Sequence, residues 1–474
     1  MLAASPAEAA GSGWQPTPAS QTFPTSQPVV GISYVDPLNG WAAGGQQPAP
    51  PTPTCGNGFV MHSTDGGNSY VAQGLPAVGL AATFFAIKFT DLSHGWAVGC
   101  TGTASTQNGL ILFTTNGGAT WQQATIPAAG ALPTQVPLGT IFTNVFFLRD
   151  NLNGWATGQN GVILHSIDGG QTWLRQATPV STTIQSVYFS NPLTGWAVGS
   201  LSAGNGVILV TPDGGATWTR LSQTQNGGLT QRLNGVSFVP GTTDGWAVGS
   251  SGTLAHTVDG INWTVQTLTS VNLRDIQMLD STHGWAVGDS ETVIFFNGTG
   301  WAVQFQPTPL PAPGNQFLKV TFVDACHGWT GGNTASFAPL VYSFTCALTA
   351  AGTTINATAG QPFTGTVATT SGGSGIMTAD INWGDGTPTT RVTSTNGNIT
   401  GTHTWAAAGT YAVTVTITDS AGNPAGATST AIVSPAATPF SGAPPRRTPL
   451  SPLTLFVAGA LLASGGYLGR RRFR

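Results

Sequence analysis

The chain has 474 residues, a net charge of -3 and only 7% charged residues, against about 25% in an average soluble domain. Its surface must therefore be covered by Thr, Ser, Asn, Gln and Gly. The seven basic residues of the region 13–346, scattered between Lys88 and Lys319, make no cationic stripe for phosphates, which excludes nucleic acid as a partner.

Residues 1–12 are alanine-rich, lack a basic or apolar stretch, and resemble the end of a cleaved export signal. From Trp14 to Cys346 the chain repeats itself. A Gly-Trp pair recurs at Trp41, Trp96, Trp155, Trp196, Trp246, Trp285 and Trp329, mostly continued as Ala-Val-Gly. The spacing, roughly 40 to 60 residues, is the length of one four-stranded propeller blade, which buries its faces only against its neighbours. Seven copies predict seven blades.

Each blade is expected to be an antiparallel meander. Ile32 and Tyr34, Ile87 and Phe89, Phe146 and Leu148, Val187 and Phe189, Ile276 and Met278, Val320 and Phe322 stand at fixed offsets before the tryptophans, two residues apart. That is the period of a strand, so these pairs mark the innermost strand A. Gly-Trp opens strand B, and segments such as 206–210 form strand C. A turn around Asp65, Asn116, Asp168, Asp213 and Asp259, with Ser or Thr two residues before and glycine after, leads to strand D. In such turns a short polar side chain accepts from turn amides and glycine takes the positive φ. In blade six the turn is reduced to Asn297-Gly298-Thr299-Gly300-Trp301.

Strand D carries an aromatic residue in blades one to six: Tyr70, Trp121, Trp173, Trp218, Trp263 and Trp301. Blade seven ends at Cys346 without one. Trp14 is therefore expected to supply its outer strand, beside residues 339–344. Cys326 and Cys346 lie symmetrically about residue 336 and are expected to bridge strands B and C of blade seven. A Cys55–Cys100 bridge between neighbouring blades is the second expected disulfide. Four cysteines in so weakly charged a chain suit an oxidising compartment.

The turn signature resembles the Asp-box, or bacterial neuraminidase repeat. Combined with Gly-Trp-Ala-Val-Gly it looks most like the photosystem II stability and assembly factor propellers, over residues 13–346. That resemblance implies a propeller and, as one functional alternative, a role in photosystem II assembly. Sialidases share the box, but no Arg-Ile-Pro occurs here. Arg149, Arg175, Arg220, Arg232 and Arg274 make an arginine triad improbable.

Most polar side chains have a repeat position. Asp36, Asp91, Asp150, Asp280 and Asp324 sit five residues before a Gly-Trp tryptophan, and Asp244 abuts a Gly-Trp pair. His94, His283 and His327 precede Gly-Trp, while His62, His165 and His256 precede the Asp-box, so the histidines are dispersed among blades and no metal site or cofactor is expected. Asp275, Asp289 and Glu291 alone lack a repeat role. They are the weak catalytic candidates, since a glycosidase needs two carboxylates a few ångströms apart.

A second domain is expected at 347–434. Asn382-Trp383-Gly384-Asp385-Gly386, His403-Thr404-Trp405 and the alternating run 409–419 resemble a PKD domain, an immunoglobulin-like sandwich, with Trp405 where that family has tyrosine. The Pro-rich stretch 435–452 reads as a linker, 453–469 as a transmembrane segment and 470–474, rich in arginine, as a cytoplasmic tail. The fold class is all-β, a propeller followed by a sandwich and one C-terminal helix.

The resulting expectation is a monomeric, non-enzymatic binding or scaffold protein, anchored in the cell membrane with its bulk outside. Its partner is a protein or glycan held by Arg274, Asp289, Glu291 and the loops 46–58 and 122–140, on the face opposite the Asp-boxes. An anchored glycan hydrolase is the alternative.

Overall fold

The computed structural model describes residues 13–17, 27–46, 55–103, 107–128, 130, 134–202, 204–306, 314–373, 376–419 and 422–436. The expected segments 1–12, 453–469 and 470–474 lie outside them, as does most of the linker. Among the described residues no helix is long and apolar enough to cross a membrane.

Seven four-stranded antiparallel sheets follow one another. Blade one runs Val29–Tyr34, Gly40–Gln46, Gly56–Ser63, Val71–Ala72. Blade two opens with Ala82–Phe89, blade three with Phe142–Phe147, blade four with Ile184–Phe189, blade five with Leu233–Phe238 and blade six with Leu273–Met278. Blade seven is Gln316–Asp324, His327–Asn333 and Pro339–Thr345, completed by Gly13–Pro16 from the N-terminal end of the repeat. Trp14 pairs opposite Phe344, is 4% exposed and packs between Phe322 and Phe344. Each strand A lies against the next, and Gln316–Asp324 lies against Val29–Tyr34, closing the ring.

The geometry explains the Gly-Trp pair. Six of the seven tryptophans stack face to face on the last aromatic of the next blade's strand A, among them Trp41 on Phe89 at 3.6 Å, Trp96 on Phe147 at 3.5 Å, Trp155 on Phe189 at 3.5 Å, Trp285 on Phe322 at 3.5 Å and Trp329 on Tyr34 at 3.6 Å; the strand facing Trp246 ends in Met278 instead. The preceding glycine makes room for that aromatic within its own blade, because a Cβ on Gly95 would overlap the Phe89 ring and one on Gly328 the Phe322 ring. The indole N–H then donates to the next blade's Asp-box, as Trp96 Nε1 does to Gly169 O at 2.8 Å and Trp329 Nε1 to Gly66 O at 2.8 Å. Trp285 faces blade seven, which has no Asp-box, and its buried Nε1 has no partner.

One register differs from the sequence expectation. In blade three the inward pair is Val145 and Phe147, not Phe146 and Leu148, and Phe146 stands opposite Trp155. The turn before Gly154 holds one more residue than its counterpart before Gly95, with Asn151 at φ 59°, so the offset slips by one and the strand's faces exchange.

Beyond Cys346 a three-stranded sheet (Thr349–Gly352, Phe363–Ser371, Asn398–His403) faces a five-stranded one (Thr354–Thr358, Pro424–Ser434, Gly409–Thr418, Met377–Asn382, Thr390–Ser394). Ile381, Trp383, Trp405, Val413 and Ile417 fill the space between them. His403 stacks on Trp383 and bonds Asp385 at 2.7 Å.

Candidate functional site

The Asp-box acids are committed to their turns. Ser63 Oγ accepts the Gly67 N–H at 2.8 Å, and Asp65 accepts the Ser69 N–H at 2.9 Å and its hydroxyl at 2.5 Å. Asp168, Asp213 and Asn116 repeat this with Thr172, Thr217 and Thr120, and Asp259 accepts the Ile261 and Asn262 amides. Burial pushes the Asp65 carboxyl up, but its hydrogen bonds outweigh this and hold it below the usual range. The reduced box also makes its turn, with Asn297 Oδ1 accepting from Thr299 and Gly300. Asp36, Asp91, Asp150, Asp280 and Asp324 likewise cap the A to B turns. His62, His165 and His256 stack on tryptophans, and His94, His283 and His327 bond turn aspartates. Among the described residues no group of three or more His, Cys, Asp or Glu could hold a metal ion.

Three of the four side-chain candidates converge on the face opposite the Asp-boxes. A cleft of about 470 Å³ between blades five, six and seven is lined by Asn272, Arg274, Asp289, Ser290, Asn315 and Gln316, among others. Arg274 clamps Asp289 with two hydrogen bonds, Nε to Oδ1 at 2.7 Å and Nη2 to Oδ2 at 3.1 Å, and Asn272 donates to the same carboxylate. Ser290 and Glu291 form the two-residue hairpin tip, at φ 57° and 53°. This conformation suits Asn-Gly and costs other residues of order 1–3 kcal/mol each. Glu291 is held there, 5% exposed, by Asn315 Nδ2 at 2.6 Å and the Tyr342 hydroxyl at 3.3 Å. Burial and the Glu291 charge push the Tyr342 phenol up to about 12.

Asp275 is elsewhere. Its carboxylate meets Lys319 Nζ at 3.4 Å and the Val320 N–H at 3.1 Å. Burial raises its pKa more than Lys319 lowers it. Asp275 thus joins the next blade's innermost strand, as Ser33 does with the Phe89 N–H and Gln277 with the Phe322 N–H.

The loop candidates divide. Residues 47–54 of loop 46–58 and residues 129 and 131–133 of loop 122–140 lie outside the described residues. The described part of 122–140 is packed, with Thr125 exchanging hydrogen bonds with Gln171 and Trp173 of blade three and Val136 buried. Cys55 bonds Cys100, joining blades one and two, and Cys326 bonds Cys346, with Cα atoms 5.9 and 4.9 Å apart.

The sequence reading missed a gathering of charge. Lys88, Arg274 and Lys319 lie on strands A, while Arg232 directly precedes one and Arg149 follows one by two residues. Only Arg175 and Arg220 of the seven lie outside, on strands D. Burial and then Arg274 lower the Arg232 pKa, and burial and then Arg149 lower that of Lys88. The signal was available, because each cation stands just upstream of a Gly-Trp pair, at the offset of strand A.

Comparison with known proteins agrees with this architecture. Residues 75–178 and 174–270 match the family described as photosynthesis system II assembly factor YCF48, and residues 347–434 match the PKD domain. The photosystem II assembly lipoprotein Ycf48 of Synechococcus sp. (strain CC9902) is 34% identical over 89 residues, 19% of this chain and 22% of that relative's length. A solved structure of YCF48 bound to D1 peptide superimposes with a TM-score of 0.50 at 19% identity, covering 71% of this chain and 96% of that one. YCF48 from Cyanidioschyzon merolae gives 0.49 at 18% identity, covering 70% and 98%. Residues 75–270 are thus similar to the photosynthesis system II assembly factor YCF48 family, and residues 347–434 to the PKD domain.

Proposed function

We propose that this chain is a non-enzymatic binding protein whose propeller captures a peptide segment of a partner protein on the face opposite the Asp-boxes. The observation that carries the reading is the commitment of the carboxylates. Every Asp and Glu of the described propeller accepts a hydrogen bond or ion pair within the protein, including Asp275, Asp289 and Glu291. A hydrolase reading would need an acid and a base free to exchange protons with substrate and water. The cleft beside Arg274 instead offers amides, hydroxyls and one guanidinium edge, groups that hydrogen-bond an extended backbone. The D1 peptide bound to the solved YCF48 propeller supports a peptide as the ligand class.

The PKD domain serves as a spacer and residues 453–469 as a membrane anchor, with the propeller outside the cell. Support comes from the uncharged apolar run followed by arginines, and from two disulfides, which persist in oxidising compartments.

The test uses the full chain and an immobilised D1 peptide. Saturable binding that weakens at least tenfold when Arg274→Ala opens the clamp, or when 46–58 and 122–140 are replaced by short turns, supports the reading. Binding that survives both changes, or falls instead on altering the Asp-box face, defeats it. In cells, removal of residues 448–474 is expected to release the protein from the membrane fraction, and continued membrane association would contradict the anchor.

A further inference from the structure

Three of the seven turns between strands A and B carry a histidine just before Gly-Trp. Each folds back on the aspartate three residues earlier, with Nδ1 at 3.0 Å from Asp91 in His94, 2.9 Å from Asp280 in His283 and 2.9 Å from Asp324 in His327. In blades one and three Asn39 and Asn153 close the same turn through Nδ2. The turn therefore needs only one short side-chain donor, and an imidazole has a second nitrogen to spare. In blade seven that nitrogen is used. His327 Nε2 lies 2.9 Å from Gly373 O, in the loop between strands Phe363–Ser371 and Met377–Asn382 of the second domain. The same glycine donates its N–H to Cys346 O at 2.9 Å, a Cβ on Gly372 would stand 2.3 Å from Ala347 O, and the Cys326–Cys346 disulfide ties the start of the second domain to the turn that carries His327. A cleft of about 420 Å³ runs beside this joint, lined by Pro37, Asp324, His327, Thr370, Met377 and Asn396, among others. The docked His327 side chain is 15% exposed, against 36% for those of His94 and His283.

Both ring nitrogens of His327 thus face oxygen acceptors. A neutral imidazole carries one N–H and one lone pair, while the imidazolium carries two N–H groups. Neutral His327 can satisfy Asp324 or Gly373, but sets its lone pair against the other oxygen. Only the charged form donates to both, with the Asp324 carboxylate as its counter-ion. Burial pushes the Asp324 carboxyl up, but the bonds and charge of His327, with the Cys326 N–H, hold it below its usual range. The other acids beside the joint are committed elsewhere: Asp36, next to Pro37, accepts the Leu38 and Asn39 N–H groups, and Asp419, packed behind Gly373, accepts the N–H and the side-chain amide of Asn423. No Lys or Arg is among the residues that line the cleft.

We propose that His327 is a proton-dependent latch between the propeller and the second domain. The protonated imidazole bridges the Asp324 carboxylate and the Gly373 carbonyl and holds the second domain on the Asp-box face at blade seven. Loss of one proton releases Gly373 and frees the domain to swing about the Cys326–Cys346 bridge. Docking is therefore tight at low pH and loosens as pH rises. The latch is separate from the cleft at Arg274, so it does not depend on the peptide reading.

The test is hydrogen exchange of the full chain at about pH 5 and about pH 8, the range in which histidines change charge, with rates corrected for the intrinsic pH dependence of amide exchange. The Gly373 N–H reads the latch, since loss of one bond to this glycine exposes the other. Its protection is expected to fall by about tenfold from the lower to the higher pH, the strength of one charge-assisted hydrogen bond. His327→Asn should be as weakly protected at the lower pH as the unmodified protein is at the higher, because Asn39 and Asn153 close the equivalent turns with a side chain that takes up no proton. His283→Asn, the same change in blade six, should leave the difference intact. Equal protection of the unmodified protein at both pH values, or a fall that persists in His327→Asn, would overturn the proposal. Should His327→Asn not fold, the unmodified chain decides by itself: a fall that follows the loss of one proton supports the latch, and one that is absent or involves several protons refutes it.

Discussion

Trp14→Ala tests how the ring is closed. The indole is buried between Phe322 and Phe344, and its Nε1 donates to Gln304 Oε1 at 3.1 Å. Burying a side chain of this kind removes roughly 150–250 Å² from water, worth about 4–6 kcal/mol at ~25 cal/mol per Å² and an upper bound because the unfolded chain is partly compact. Measured truncations of buried large aromatics cost about 3–5 kcal/mol. Gly13–Pro16 is the outer strand of blade seven and pairs only with Pro339–Thr345, so loosening it also exposes an edge. The expected outcome is a loss of about 3–5 kcal/mol in denaturant unfolding, while Trp14→Phe retains most of the stability. Deleting residues 1–24, which removes the strand, should cost at least as much. A Trp14→Ala protein within about 1 kcal/mol of the parent would refute closure by this strand, since that is below the smallest measured cost for such a truncation.

Asp280 sits near pKa 2, because hydrogen bonds from Thr282 and His283 outweigh the effect of burial. A depressed carboxyl stabilises the fold above its unfolded value, about 4, and that contribution is lost as pH falls toward 2. Asn191 fills the equivalent turn of blade four by accepting the same two amides, so Asp280→Asn should fold normally at pH 7 and show a shallower loss of stability between pH 4 and 2; an unchanged slope would argue against it. The Cys55–Cys100 and Cys326–Cys346 disulfides close loops of 45 and 20 residues, so removing each by paired Cys→Ser changes should cost about 4 and about 3 kcal/mol. Four free thiols on the unreduced protein would contradict both bridges.

The repeat made the fold legible. Gly-Trp, the strand A pairs and the Asp-box each express a local rule of space, period or turn hydrogen bonding, and each rule holds blade after blade. Even the closing strand could be placed, because a vacant aromatic position in blade seven matched a spare Trp14. Two features were not readable from spacing. One residue added before Gly154 reverses which face of strand A is inward in blade three, and only the stacking of Phe147 on Trp96 settles it. The seven basic residues lie far apart in sequence and suggest no surface, yet five of them fall on or beside innermost strands. Local pattern determined each blade, since a strand or turn depends on neighbours a few residues away. Ring closure decided the rest: Trp14 meets Phe344 and Tyr34 meets Trp329 across most of the propeller's length, contacts that exist only once the seven blades close on one another.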